Sequence, residues 1–406
     1  MLIAGEASGD LLAAELVSAL LAASKQGGDG RGPQFFGAGG AKMAEAGVEL
    51  AFDMTEHAVV GFSDVVKNYF KFRRLFKQLI ALAIKRKPDV IIGVDFGGFN
   101  LRFGHAVKQY VRDNPFSKWN PKIVQFVSPQ VWASRPGRAD LLAADYDLLL
   151  SIFPFEKDWY AKRTPKLRVE FVGHPMVERF ASEKRVPQAP IFKNSILLLP
   201  GSRKSELQRH LPPMLGALKL IQSKLPEIRA KVVLPNRELK KELVKSMNQI
   251  TKELARGGRK IGLNSMPSDP ESSPNNVEFQ IGSLPQALMQ ADLAIASTGT
   301  VTMECAFFGV PTVTLYKTSW FNYEIAKRIV TVKWATMPNI LANEEIFPEF
   351  IQNAATPESI SGAALELLQN ESRRAKIKSQ LAEIVSSLGE TGATRRAAAA
   401  IQSLFT

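Results

Sequence analysis

Cysteine is almost missing from this 406-residue sequence: the single Cys305 excludes a disulfide framework and any cysteine-based zinc site. Histidine is scarce too, and His57, His105, His174 and His210 are too scattered to predict a metal centre. Neither G-x-G-x-x-G nor the GK[S/T] phosphate loop occurs, which takes weight from dinucleotide and ATP-phosphate readings. Acidic residues are outnumbered, 39 Asp and Glu against 52 Lys and Arg, leaving a net charge of +13 that needs an anionic partner: nucleic acid, a membrane or a phosphorylated substrate. No apolar run approaches the roughly 18–20 residues that span a bilayer. The most apolar early stretch, 11–23, follows Glu6 and Asp10, the wrong flank for a signal peptide. One cysteine and no export signal predict a cytoplasmic protein that can still sit on a membrane surface, with no metal and no cofactor.

What is present reads as α/β. Hydrophobic residues at 45% and charged residues at 22% predict a globular chain, and its length predicts two or three domains. Short apolar runs at 35–37, 90–94, 123–127, 148–152 and 168–172, then at 196–199, 231–234, 294–296 and 312–315, alternate with helical stretches. They lack period-2 alternation, as strands of parallel sheets covered on both faces do. The stretch 173–195, with Pro175, Pro187 and Pro190, predicts a domain boundary, and 257–276 reads as a surface loop. Both halves open alike: Leu2-Ile3-Ala4 runs into Gly5-Glu6-Ala7-Ser8-Gly9-Asp10, and Ile196–Leu199 runs into Pro200-Gly201-Ser202-Arg203. Two such strand-turn-helix halves predict a ligand in a cleft facing the carboxyl ends of both sheets.

Four segments carry candidate chemistry. Gly201 and Ser202 open a helix N-terminus that, with Arg203, would suit a diphosphate; the same residues also make an ordinary strand-to-helix turn. Ser297-Thr298-Gly299-Thr300 again leads into a helix, with Glu304 one turn on, placed to accept ribose hydroxyls or simply to favour the helix dipole. Asp95 stands at the carboxyl end of strand 90–94, between Val94 and Phe96; it is a general base with a raised pKa, or else Asp95 and Asn100 cap turns. The segment 61–87 holds eight basic residues and one acidic one, seven of the thirteen net positive charges. Its apolar positions, Val65, Tyr69, Phe72, Phe76, Leu79 and Ala83, recur at helical spacing, and Phe70 widens the stripe. Such a helix docks on an anionic membrane or packs in a core with its basic face in water.

Read together, the motifs resemble lipid-A-disaccharide synthase. Ala4-Gly5-Glu6-Ala7-Ser8-Gly9-Asp10, Val94-Asp95-Phe96-Gly97-Gly98-Phe99-Asn100, Ser128-Pro129-Gln130-Val131-Trp132-Ala133, Phe153-Pro154-Phe155-Glu156, Phe171-Val172-Gly173-His174-Pro175, Leu199-Pro200-Gly201-Ser202-Arg203 and Ser297-Thr298-Gly299-Thr300 fall in that family's order. Each is weak alone; seven in order are highly specific. The resemblance implies a GT-B fold of two Rossmann-like domains, 1–173 and 174–385, with a C-terminal helix at 386–406 crossing back to the first.

It also implies an inverting glycosyltransferase that joins UDP-2,3-diacylglucosamine to 2,3-diacylglucosamine 1-phosphate (lipid X), giving a β-1,6-linked disaccharide 1-phosphate and UDP. Asp95 and Arg203 take the family's essential positions. Glu6, Ser8, Gly9, Asn100, Gly201, Ser202, Ser297, Thr298, Gly299, Thr300, Glu304 and Asn339 become substrate-binding candidates, and Tyr69, Phe70, Phe72 and Phe76 membrane or acyl contacts. The expected partners are the two lipid substrates, the anionic cytoplasmic face of the inner membrane and a second copy in a homodimer, with no nucleic acid. Three departures stand out: Gly97 replaces a frequent Pro, Gly98 an acid of some members, and Ser134 a usual Trp. The competing readings are another UDP-sugar GT-B enzyme, a peptidoglycan N-acetylglucosamine transferase or a 2-epimerase, and a nucleic-acid-binding protein, which lacks any RNP, zinc-finger or helix-turn-helix signature.

Overall fold

The computed structural model describes residues 1–25, 32–54, 62–181, 183, 195–243, 245 and 277–405, with 62–71 described by backbone alone. The segment 257–276, expected to be a loop, lies outside them. The chain divides into two units, Met1–Arg179 with Leu388–Thr406, and Phe180–Ser387.

In the first unit β1 (Leu2–Ala4), α1 (Ala7–Lys25), β2 (Phe36–Gly39), α2 (Ala41–Glu45), β3 (Glu49–Asp53), α3 (Phe62–Arg86), β4 (Val90–Val94) and α4 (Gly97–Asp113) follow in order. Three more strands come after them, β5 (Lys122–Phe126), β6 (Leu148–Ser151) and β7 (Val169–Phe171). All seven strands are parallel, in the order β3-β2-β1-β4-β5-β6-β7. The order reverses between β1 and β4, where Ala4 lies opposite Val94, so the turns after these two strands open side by side. Sheet and helices bury Ile3, Leu79, Ile91, Phe103, Ile123, Leu149 and Tyr160 in one core.

The second unit runs β8 (Ser195–Leu199), α5 (Lys204–Lys224), β9 (Arg229–Leu234), β10 (Val277–Ile281), β11 (Leu293–Ser297), α6 (Thr300–Phe307), β12 (Thr312–Tyr316), α7 (Trp320–Ile329), α8 (Met337–Ala342) and β13 (Glu349–Ile351). Its parallel sheet has the order β10-β9-β8-β11-β12-β13 and reverses between β8 and β11. The chain then returns to the first unit through α9 (Ala393–Gln402), which packs on α1. Arg396 fixes this return by donating to the carbonyls of Val172, Glu390 and Thr391.

Two expectations change. Strands β3, β10 and β13 were not anticipated, and each is an edge of its sheet; the remaining edge, β7, falls within the expected run 168–172. An edge strand is covered less, so it lacks the continuous apolar run that marked the interior strands; β3 alternates exposed and half-buried residues throughout. The second concerns membrane-spanning length. Among the described residues one helix, α1, has the length and composition to cross a bilayer, with 19 residues and a mean hydropathy of 1.3. Its partners make it a core helix: Ala13, Leu16, Val17 and Leu20 are buried, Asp10 accepts the backbone N–H groups of Gly40, Lys42 and Met43 at the start of α2, and Glu15 pairs with Arg179.

Candidate active-site turns

Ligands of open parallel sheets bind outside the carboxyl ends of the strands where strand order reverses. Each unit has one such place, and the turns there are those selected from the sequence.

In the first unit the β1–α1 and β4–α4 turns meet. A Cβ on Gly9 would lie 3.6 Å from Asp95 Cβ, and one on Gly5 would fall 2.3 Å from the Phe96 ring, so the small residues of Gly5-Glu6-Ala7-Ser8-Gly9 let the turns touch. Asp95 and Phe96 both adopt left-handed backbone, with φ of 50° and 45°, a strained conformation for two consecutive residues that carry side chains. Buried amides hold it. Gln125 Nε2 and Asn100 Nδ2 each donate to the Asp95 carbonyl at 2.9 Å. The same Gln125 nitrogen donates at 3.2 Å to Val127, itself left-handed at φ 67°. The Asp95 carboxyl is left half-buried at the turn; desolvation, then the negative charge of Glu6, pushes its pKa above the usual carboxylate range, against one backbone hydrogen bond from Phe96. Ser8 is exposed on the neighbouring turn.

The loop after β5 rests on its own buried bonds. Trp132 Nε1 donates to Glu156 at 3.0 Å, and Tyr160 bonds Ser128 and the Pro129 carbonyl. Thus the Ser128–Trp132 and Phe153–Glu156 motifs form one scaffold. Burial pushes the Glu156 carboxyl up to about 7. Gly97 packs against this loop: a Cβ there would lie 2.8 Å from Pro129 Cβ, whereas one on Gly98 would meet open space.

In the second unit Pro200-Gly201-Ser202-Arg203 follows β8, and Ser297-Thr298-Gly299-Thr300 runs from the last residue of β11 to the first of α6, on the two neighbouring strands of the reversal. Gly201 has φ 121°, which favours glycine. The Glu206 carboxylate accepts the backbone N–H groups of Ser202 at 3.0 Å and Arg203 at 3.3 Å, so an anion already sits on these donors. Ser202, Arg203, Gly299 and Thr300 are exposed, and Ser297 is buried at the strand end. Buried His210 ties the turn to the end of β12: Nδ1–H donates to the Pro200 carbonyl at 2.8 Å and Nε2 accepts from Lys317 N–H at 3.0 Å. Burial lowers its pKa and keeps it in this neutral form.

Three candidates take other roles. Asn339 is fully buried in α8; its amide donates to Phe347 and Glu349 and accepts from Ile346 and Phe347, so it pins the chain before β13 and has no capacity left for substrate. Asn100 is buried beneath the Asp95 turn rather than beside a ligand. Phe76 packs edge-on against Phe99 and Phe103 at 5.4 and 5.8 Å, as part of the first unit's core. Phe72 is half-buried, and the side chains of Tyr69 and Phe70 lie outside the described residues. Gln125, Glu206 and His210 were not selected. Only Gln125 left a signal, a polar residue within the apolar strand Ile123-Val124-Gln125-Phe126. Cys305 is a buried thiol that desolvation holds at a pKa of about 12.

A family model described as lipid-A-disaccharide synthetase matches residues 1–257 and 274–404. The lipid-A-disaccharide synthase of Trichlorobacter lovleyi is 33% identical, covering all of this chain and 97% of that protein, and that of Myxococcus xanthus is 32% identical over the same shares. Among solved structures, a putative UDP-N-acetylglucosamine 2-epimerase from Listeria monocytogenes superposes with a TM-score of 0.59 at 13% identity, covering 100% of this chain and 96% of that one. The glycotransferase of kitacinnamycin does so with 0.56 at 17%, covering 99% and 98%. These two likenesses give the fold alone, GT-B.

Proposed function

The chain belongs to the lipid-A-disaccharide synthase family, glycosyltransferases of lipid A biosynthesis, and from that premise we propose how its own residues divide the reaction. The enzyme joins UDP-2,3-diacylglucosamine to lipid X, forming the β-1,6-linked disaccharide 1-phosphate and releasing UDP. Asp95 takes the proton of the acceptor's 6-hydroxyl as that oxygen attacks the donor's anomeric carbon. The bond to UDP breaks in the same displacement, so one base suffices and the configuration inverts. The observation that carries this is a half-buried carboxyl, raised in pKa, at the β1/β4 reversal, on a residue whose backbone carbonyl is held by two buried amides.

The Arg203 guanidinium and the N–H groups of this turn, with Gly201 letting the backbone come close, take the charge that develops on departing UDP, and the incoming diphosphate displaces Glu206 from the N–H groups of Ser202 and Arg203. Ser297, Thr298, Gly299 and Thr300 line the same reversal, with Glu304 accepting ribose hydroxyls. Glu6, Ser8 and Gly9 face the acceptor. Incubating the purified enzyme with both acylated substrates and following UDP and disaccharide should give stoichiometric products. Equal turnover of non-acylated UDP-N-acetylglucosamine would point instead to another UDP-sugar enzyme.

The enzyme works as a homodimer at the anionic cytoplasmic face of the inner membrane, where α3 docks. Exposed Arg73, Arg74, Lys77, Lys85 and Lys87 support that docking. Phe72→Ser should weaken binding to phosphatidylglycerol vesicles without unfolding the protein; undiminished binding would remove α3. Light scattering of the pure protein reads the dimer directly, and a monomer mass would reject it.

A further inference from the structure

Helix α7 has no buried residue along its ten positions. It starts on a proper cap, Ser319 Oγ accepting the Asn322 N–H, so it is a formed helix rather than a frayed end. Its outer face combines two chemistries. Trp320 is 75% exposed and Phe321 63%, with Ile325 one turn on and Val330 just beyond the helix also exposed. At helical spacing from them stand the exposed cations Lys327 and Arg328, followed by exposed Lys333, against the single carboxylate Glu324. Tyr323, Ala326 and Ile329 form the inner, half-buried face.

Large aromatics held in water beside cations are the composition of a helix that lies in a bilayer interface: the rings enter the acyl boundary and the ammonium and guanidinium groups meet anionic headgroups. The other aromatic-basic helix, α3, turns Phe76 into the core instead. We infer that α7 is a membrane-docking element of the second unit, and that its occupant is an anionic lipid surface. The inference rests on the lipid-substrate function proposed above but not on the α3 contact, which lies in the other unit. Charge complementarity selects the occupant, because three cations against one carboxylate match anionic headgroups.

The test uses the full-length enzyme and vesicles of phosphatidylethanolamine with phosphatidylglycerol. Three variants are floated beside wild type: Trp320→Ser/Phe321→Ser/Ile325→Ser, Lys327→Glu/Arg328→Glu, and Phe72→Ser as the α3 control. The aromatic variant should lose at least tenfold in vesicle affinity while keeping its thermal midpoint and its turnover on substrates dispersed in detergent. The charge variant should lose at least the roughly fivefold per residue expected for a basic group at an anionic surface. Brominated lipid should quench wild-type tryptophan emission more than that of Trp320→Phe. Unchanged affinity of a folded aromatic variant overturns the inference, including the case where only Phe72→Ser lowers binding, which leaves the α3 reading standing alone. A wild-type mass that halves in the aromatic variant while vesicle binding persists also overturns it, assigning the face to a second copy of this chain.

Discussion

The two strand-order reversals solve the same problem by opposite means. At β1/β4 the proposed base is drawn inward: Asp95 is half-buried, its backbone is left-handed, and two buried amides hold the carbonyl behind it. At β8/β11 the proposed phosphate-side charge is put outward: Arg203 is exposed at the start of α5, and glycine supplies the unusual backbone without strain. A carboxyl that must act as a base gains from desolvation, which raises its pKa. A guanidinium stays charged wherever it sits, so it gains from reach instead.

That contrast sets what should break each turn. Asp95→Asn keeps the shape and the bonds to the carbonyl but removes the proton acceptor, so kcat should fall by about 10³-fold with the thermal midpoint unchanged. Near-normal turnover under saturating substrates would remove the base. Arg203→Ala should lower kcat/KM by about 10²-fold, and Arg203→Lys should recover part of it, because charge matters there more than a fixed position. Full activity in the alanine variant would take Arg203 out of the reaction.

Gln125→Leu probes the hold on the strained turn. We expect kcat to drop about tenfold at little-changed KM, with a midpoint lower by several degrees, since buried bonds worth about 2 kcal/mol are lost. A lower midpoint with unchanged kcat would make Gln125 purely structural. The smallest effect is a shift rather than a loss. A base must be ionised to accept a proton, so with Asp95 in that role kcat/KM should fall as pH drops through its raised pKa. Glu6→Gln removes a like charge and should move that acidic limb to lower pH; an unmoved limb would mean that Glu6 does not act on Asp95.

Sequence legibility followed coverage. The interior strands were readable because both faces are buried and their residues are mostly apolar; of the edges, β7 was read within 168–172, while β3, β10 and β13 carry mixed residues and were missed. The turns at both reversals were readable because small residues, an acid and an arginine stand directly after apolar runs. The residues that hold those turns were harder to see. Gln125 and His210 act through bonds to backbone groups distant in sequence, the Asp95 carbonyl for one and the Pro200 carbonyl and Lys317 N–H for the other, and only the fold brings them together. Asn339 shows the opposite error: a motif position that looks like a ligand contact spends its whole amide on the neighbouring loop.

The return of α9 to the first unit bears on the order in which the protein can be made. The second unit is one continuous stretch, Phe180–Ser387, and can close on itself as soon as it leaves the ribosome. The first unit begins earlier but must wait for Leu388–Thr406, so the part of α1 that α9 covers lacks that helix during synthesis of everything between, although α2 is made at once. The half that starts first is therefore finished last, and its closing contact is the one between the two ends of the chain, α1 and α9.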